Sequence, residues 1–170
     1  PSAGVHFQRR RRRHHPEVWR GGCSGPAGDD SDGGTGGDTL DVSAATVAVT
    51  VNLGTGAGSK GSASSSQTGN DTIWSIENVN TGSGNDTIIA SSSVNIMNGG
   101  AGNDLLNGGS GLDVFDFNQG WGRDTVADYR DNYDKFDFRD SGAASFAGVT
   151  VAQVGLDTVI SVGGDEVVLL

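Results

Sequence analysis

Cysteine occurs once in this 170-residue chain, at Cys23, so no disulfide can form within it. Aromatic residues make up 6%, and Leu, Ile, Val and Phe together number 37. That is about a fifth of the chain, close to the level at which charged sequences stay unfolded. A large apolar core is therefore excluded, and something else must help the chain fold. No apolar run approaches the length of a membrane span. No secretory signal pattern stands at the start, so any export signal is expected elsewhere or of another type. No segment sustains a capped 3.6-residue period, which argues against helices. The zinc-protease signature H-E-x-x-H and the nucleophile elbow G-x-S-x-G are both missing, and His6, His14 and His15 all precede the repetitive body. This segment is accordingly expected not to be an enzyme.

What is abundant is glycine, at 29 residues, and acid. The net charge of -10 is unevenly spread. Residues 1–28 hold six Arg, five of them consecutive at 9–13, against Glu17 alone. From residue 29 onward the chain carries 20 acids and 5 bases, and Glu77 and Glu166 are the only acids there that are not Asp. Repulsion on that scale opposes compaction unless cations bind. The Arg run reads as a disordered tail over 1–28. No aromatic residue interleaves with it and the acidic body would repel nucleic acid, so no nucleic-acid partner is expected.

The body is repetitive, with a period of nine. Residues 81–116 divide into TGSGNDTII, ASSSVNIMN, GGAGNDLLN and GGSGLDVFD. The sixth position is Asp86, Asn95, Asp104 and Asp113, and the eighth is Ile88, Met97, Leu106 and Phe115. Glycine occupies positions one, two and four as Gly99, Gly100 and Gly102, then as Gly108, Gly109 and Gly111; the first block keeps Gly82 and Gly84. A separated full copy, GGTGGDTLD, supplies Gly33, Gly34, Gly36 and Asp38. QGWGRDTVA at 119–127 retains Gly120, Gly122 and Asp124. Weaker copies lie at 24–32, at 66–74 with Gly69, Asp71 and Ile73, and at 129–137 with Asp134 and Phe136.

Nine residues suit a turn of about six and a strand of about three. The eighth residue then points inward, two blocks make one coil, and successive coils pair as parallel strands. The predicted fold is all-β, a parallel β-roll over 29–140. An inserted strand and Gly/Ser-rich flexible loop interrupt it at 42–65. An antiparallel hairpin or meander over 141–170 closes it. Turns stack block on second-next block, so Asp86 meets the 99–104 turn, Asp104 the 119–124 turn, and Asn95 meets Asp113. Glycine lets backbone carbonyls converge, and the sixth residue adds a carboxylate. Such all-oxygen sites suit a hard cation; zinc is disfavoured because the repeats hold no His or Cys, and magnesium by its stricter geometry. The Asn95 block lacks glycine, so its site should be weaker or empty.

GGAGNDLLN and GGSGLDVFD resemble the haemolysin-type calcium-binding nonapeptide of the RTX (repeats-in-toxin) proteins. The likeness covers roughly 29–140. SIENVNTGSGNDTI (75–88), DKFDF (134–138) and VAQVGLDTVISVGG (151–164) are also similar to the C-terminal module of serralysin-type secreted metalloproteases. The resemblance implies that Ca2+ is the bound cation, that the protein is secreted and extracellular, that it folds on calcium binding, and that it leaves the cell through type I secretion machinery. A monomer is expected. The parent protein is expected to be such a secreted protein, with two alternatives: a metalloprotease or other hydrolase carrying this segment as an accessory domain, or a surface adhesin or structural repeat protein.

Overall fold

A computed structural model describes residues 18–20, 30–56 and 58–170. Each nonapeptide makes a turn and one strand of three or four residues, because a single inward apolar residue can anchor only that much chain. The strands of the roll are β1 (Val18–Arg20), β2 (Asp30–Asp32), β3 (Thr39–Asp41), β4 (Val49–Asn52), β5 (Lys60–Ser65), β6 (Gly69–Trp74), β7 (Asn78–Asn80), β8 (Thr87–Ile89), β9 (Ile96–Asn98), β10 (Leu105–Asn107), β11 (Val114–Asp116), β12 (Arg123–Val126) and β13 (Lys135–Asp137). The residue closing a strand often bends the chain with its own side chain. Asp41 Oδ1 accepts from the Ser43 amide at 3.1 Å and Asn98 Oδ1 from the Gly100 amide at 2.8 Å.

Two sheets result. One is wholly parallel, in the order β1-β3-β7-β9-β11-β13. Its register aligns Leu40, Val79, Met97, Phe115 and Phe136. The opposing sheet aligns Val51, Ile88, Leu106 and Val126 across β4, β8, β10 and β12. Val51, Val79, Ile88, Met97, Leu106, Phe115 and Val126 are all fully buried, so the eighth positions form the thin core that the period predicts. Toward the C-terminal end the core widens into rings: Phe117 packs on Trp121 and Phe138, and Phe136 stacks on Tyr129.

The second sheet continues beyond the roll at both ends. β14 (Val149–Val154), β15 (Asp157–Val162) and β16 (Asp165–Leu169) form an antiparallel meander, and β16 joins β12 in parallel. A single 3-10 turn, Phe146–Gly148, leads into it. At the other end β4, β5 and β6 are antiparallel, and β6 takes β2 in parallel.

Three sequence expectations need correction. The Gly/Ser-rich stretch after β4 is not all loop, since Lys60–Ser65 is a strand paired on both sides. Its small residues suit close packing: Ala63 is buried, and a Cβ on Gly61 would lie 2.3 Å from the Asn52 carbonyl oxygen. Neighbouring strands override its low strand propensity. Residues 66–74 do not form a repeat's turn and short parallel strand, because Gly69–Trp74 is a six-residue strand paired antiparallel with Lys60–Ser65. Within the expected tail, Val18–Arg20 pairs with β3, as the strand-forming Val and Trp allow. The Arg run, the three His, Cys23 and most of the 24–32 copy lie outside the described residues.

Candidate metal centre

The turns stack in two columns. The first holds residues 43–48, 81–86, 99–104 and 119–124, each leading into the second sheet. The second holds 33–38, 75–77, 90–95, 108–113 and 128–134, leading into the all-parallel sheet. Successive turns touch closely enough that side chains are barred. Gly100 and Gly102 have φ of +80° and +139°, and a Cβ on either would lie 2.0 Å or 1.8 Å from the carbonyl oxygen of Gly82 or Gly84. Only glycine meets both demands. Gly34 and Gly36 repeat these angles at +90° and +138°, so the separated copy builds the same kind of turn.

A ladder of aspartates runs down the first column. Asp86 Oδ1 accepts from the Val49 amide at 2.7 Å, Asp104 Oδ1 from the Asp86 amide at 2.7 Å, and Asp124 Oδ1 from the Asp104 amide at 2.9 Å. This is the predicted block-to-second-block stacking. The three residues are at most 2% exposed. Each uses one carboxylate oxygen in the ladder, and the other is buried with no hydrogen-bond partner. No ion pair among the described residues reaches them. Burial first, and the neighbouring carboxylates second, push Asp104 up to about 7 and Asp124 up to about 8.

The second column is chemically different. Asp38 lies beside Glu77, whose carboxylate accepts from the Asp38 amide at 2.9 Å. The Asn95 carboxamide is satisfied on both sides: its Oδ1 accepts from the Ser91 amide and hydroxyl, and its Nδ2 donates to the Glu77 carbonyl. Asp113 Oδ1 accepts from the Asn95 amide at 2.9 Å, so these two residues meet as the period predicts. Its other oxygen faces Arg130 at 3.9 Å. Burial chiefly raises Asp113 to about 6, and the Arg130 charge opposes the rise.

Several participants escaped the repeat pattern. Asp128 accepts from the Gly108 and Gly109 amides at 2.7 Å, and Asp165 from the Gly120 and Gly122 amides at 3.1 Å. Asn85 Oδ1 accepts from the Asn103 amide and Asn103 Oδ1 from the Arg123 amide, forming a second ladder at position five. Asp113 continues the stack to Asp134, whose Oδ1 accepts from the Asp113 amide at 3.1 Å. The Asn ladder was visible as N-D pairs in the sequence, and Glu77 stands nine residues before Asp86, in a stretch without glycine; Asp128 and Asp165 lie outside the motif and carried no signal.

These residues fit a hard divalent cation. Buried, partnerless carboxylate oxygens are costly unless a positive charge meets them. Among the described residues no three His, Cys, Asp or Glu side chains cluster. The turns ending at Asp86, Asp104 and Asp124 offer one carboxylate each, so a shell of six to eight oxygens would need backbone carbonyls of the glycine turns as well.

A match to one known repeat family agrees with this chemistry. Residues 80–115 and 89–126 match the family described as RTX calcium-binding nonapeptide repeat (4 copies). A search of curated proteins finds no match. Among solved structures, the extracellular lipase LipA from Serratia marcescens is similar with a TM-score of 0.42 and 17% identity, over 84% of this chain and 32% of the lipase. The chain thus spans about a third of that protein's length.

Proposed function

We propose, from the premise that residues 80–126 are RTX calcium-binding nonapeptide repeats, that this chain is the calcium-dependent folding module of a secreted extracellular protein, exported unfolded through a type I channel. The observation that carries the reading is the column of partnerless carboxylate oxygens on Asp86, Asp104 and Asp124. These three carboxylates, with the carbonyls of the glycine turns around them, would hold the ions. Bound calcium supplies the positive charge that lets stacked acids be buried together. The chain's own residues do the rest: glycines let coils approach, the ladder amides fix each carboxylate, and position-eight side chains close the core.

A chain of net charge -10 with so little apolar surface stays open where calcium is scarce, which suits threading through an exporter. Outside, calcium at about 10⁻³ M matches the affinity of extracellular modules. Saturating a site at ten times its dissociation constant adds about 1.4 kcal/mol, and a few sites rival a domain's whole stability. We read the segment as non-enzymatic, since its sequence has neither H-E-x-x-H nor G-x-S-x-G. Isothermal titration tests the reading. Calcium should bind at micromolar to millimolar concentration in more than one equivalent, while a chain that takes up none refutes it.

A further inference from the structure

We propose that Arg130 is a built-in cation that takes the place of calcium between the last two turns of the second column. The inference rests on the calcium-binding reading above and separates one interval of the stack from the others.

Residues 129–134, Tyr-Arg-Asp-Asn-Tyr-Asp, are a degenerate repeat. Of the nonapeptide's turn residues they keep only Asp134, yet they occupy a repeat's place: Asp134 continues the aspartate stack and Phe136 pairs with Phe115. Asn132, at position four, has φ of +68°, the left-handed region that glycine takes at that position in the 99–104 turn. Arg130 stands at position two, where full copies have glycine.

Its guanidinium points at the atoms expected to hold an ion. Nη2 donates to the carbonyl oxygen of Gly111, at position four of the preceding turn. It also lies 3.3 Å from Asp134 Oδ1 and 3.9 Å from Asp113 Oδ2, the two position-six carboxylates. Asp113 and Asp134 side chains are at most 1% exposed and that of Arg130 is 36% exposed, so the positive charge closes the site from the solvent side. The arm is fixed in place. The Arg130 amide donates to Asp134 Oδ2 at 2.8 Å, the Tyr133 and Asp134 amides donate to the Arg130 carbonyl, and the guanidinium lies 5.5 Å from the Tyr133 ring centre. Asp113 Oδ2, like one oxygen each of Asp86, Asp104 and Asp124, is buried without a hydrogen-bond partner. Only at Asp113 does a guanidinium lie within ion-pair distance; no ion pair among the described residues reaches the other three.

A fixed guanidinium needs no free ion, so in the folded chain this interval takes up no calcium. Counting bound calcium by equilibrium dialysis on the full chain tests the idea. Arg130→Gln removes the charge, keeps much of the volume, and should gain one equivalent over wild type. Arg130→Lys keeps a charge and should gain none. Asp113→Asn preserves the acceptor for the Asn95 amide and should lose no equivalent, whereas Asp104→Asn should lose at least one. A folded Arg130→Gln protein with the wild-type count, or an Asp113→Asn protein that loses an equivalent, overturns the proposal. If Arg130→Gln does not fold, the Asp113→Asn count still decides. A wild-type chain that binds no calcium would instead overturn the functional reading itself.

Discussion

Asp104 shows how a single residue type carries two duties. One oxygen receives the Asp86 amide and holds two coils in register, and the other is buried without a partner. Asp104→Asn should keep the first duty and remove the second. Calcium affinity is expected to fall by about tenfold or more, because ligand charge sets affinity in such sites. In chelator the same variant should show no less strand content than wild type, because a buried charge without compensation has been removed. Titration calorimetry and circular dichroism read the two effects separately.

Protonation should act on the same residues. Asp104 and Asp124 are pushed up from 3.8 to about 7 and about 8. Between those limits the folded, metal-free chain binds more protons than the unfolded one, so its stability falls as pH rises from about 4 to 8. Calcium must displace those protons, so its affinity should rise across pH 6 to 8. Far-ultraviolet circular dichroism in calcium-free buffer at pH 5 and pH 8 checks the first statement, with the greater strand content expected at pH 5.

Most of the site was legible at this scale because the period fixes chemistry by position. Once Asp86, Asp104 and Asp113 share position six, strand alternation decides that Ile88, Leu106 and Phe115 point inward. Asp128 and Asp165 were not legible. They reach their partners across 20 or 45 residues from outside the motif, and only the closed roll brings them there. Arg130 was hidden differently: its repeat had decayed to Asp134 and Phe136, and the decay itself placed the cation.

At the scale of elements, each strand is too short to be stable alone, and the stack is a chain of nearest-neighbour contacts. Leu106 lies in register with Ile88 on one side and Val126 on the other, fully buried. Leu106→Ala should cost about 2–5 kcal/mol, and in calcium should lower the urea midpoint. Gly102→Ala strikes the turn instead. Its φ of +139° and a Cβ position 1.8 Å from the Gly84 carbonyl leave no room for a methyl group. Calcium binding should weaken strongly, seen as a shift of the titration midpoint to higher calcium. The elements least legible in the sequence were those whose partners come from outside the repeat. KGSASS has poor strand propensity and becomes β5 only because β4 and β6 flank it.

At the scale of the whole molecule, a net charge of -10 and a thin core are the grounds for the proposal that folding is under ionic control. General screening is not equivalent to site binding, because salt acts mainly on exposed charges and the aspartate column is buried. Sodium chloride at matched ionic strength should therefore fail to replace calcium. The decisive comparison is far-ultraviolet circular dichroism at pH 8 in chelator and in millimolar calcium. The strand spectrum should be weak in chelator and rise cooperatively as calcium is added. The same strand content in both solutions would contradict a roll held together by cations between its stacked aspartates.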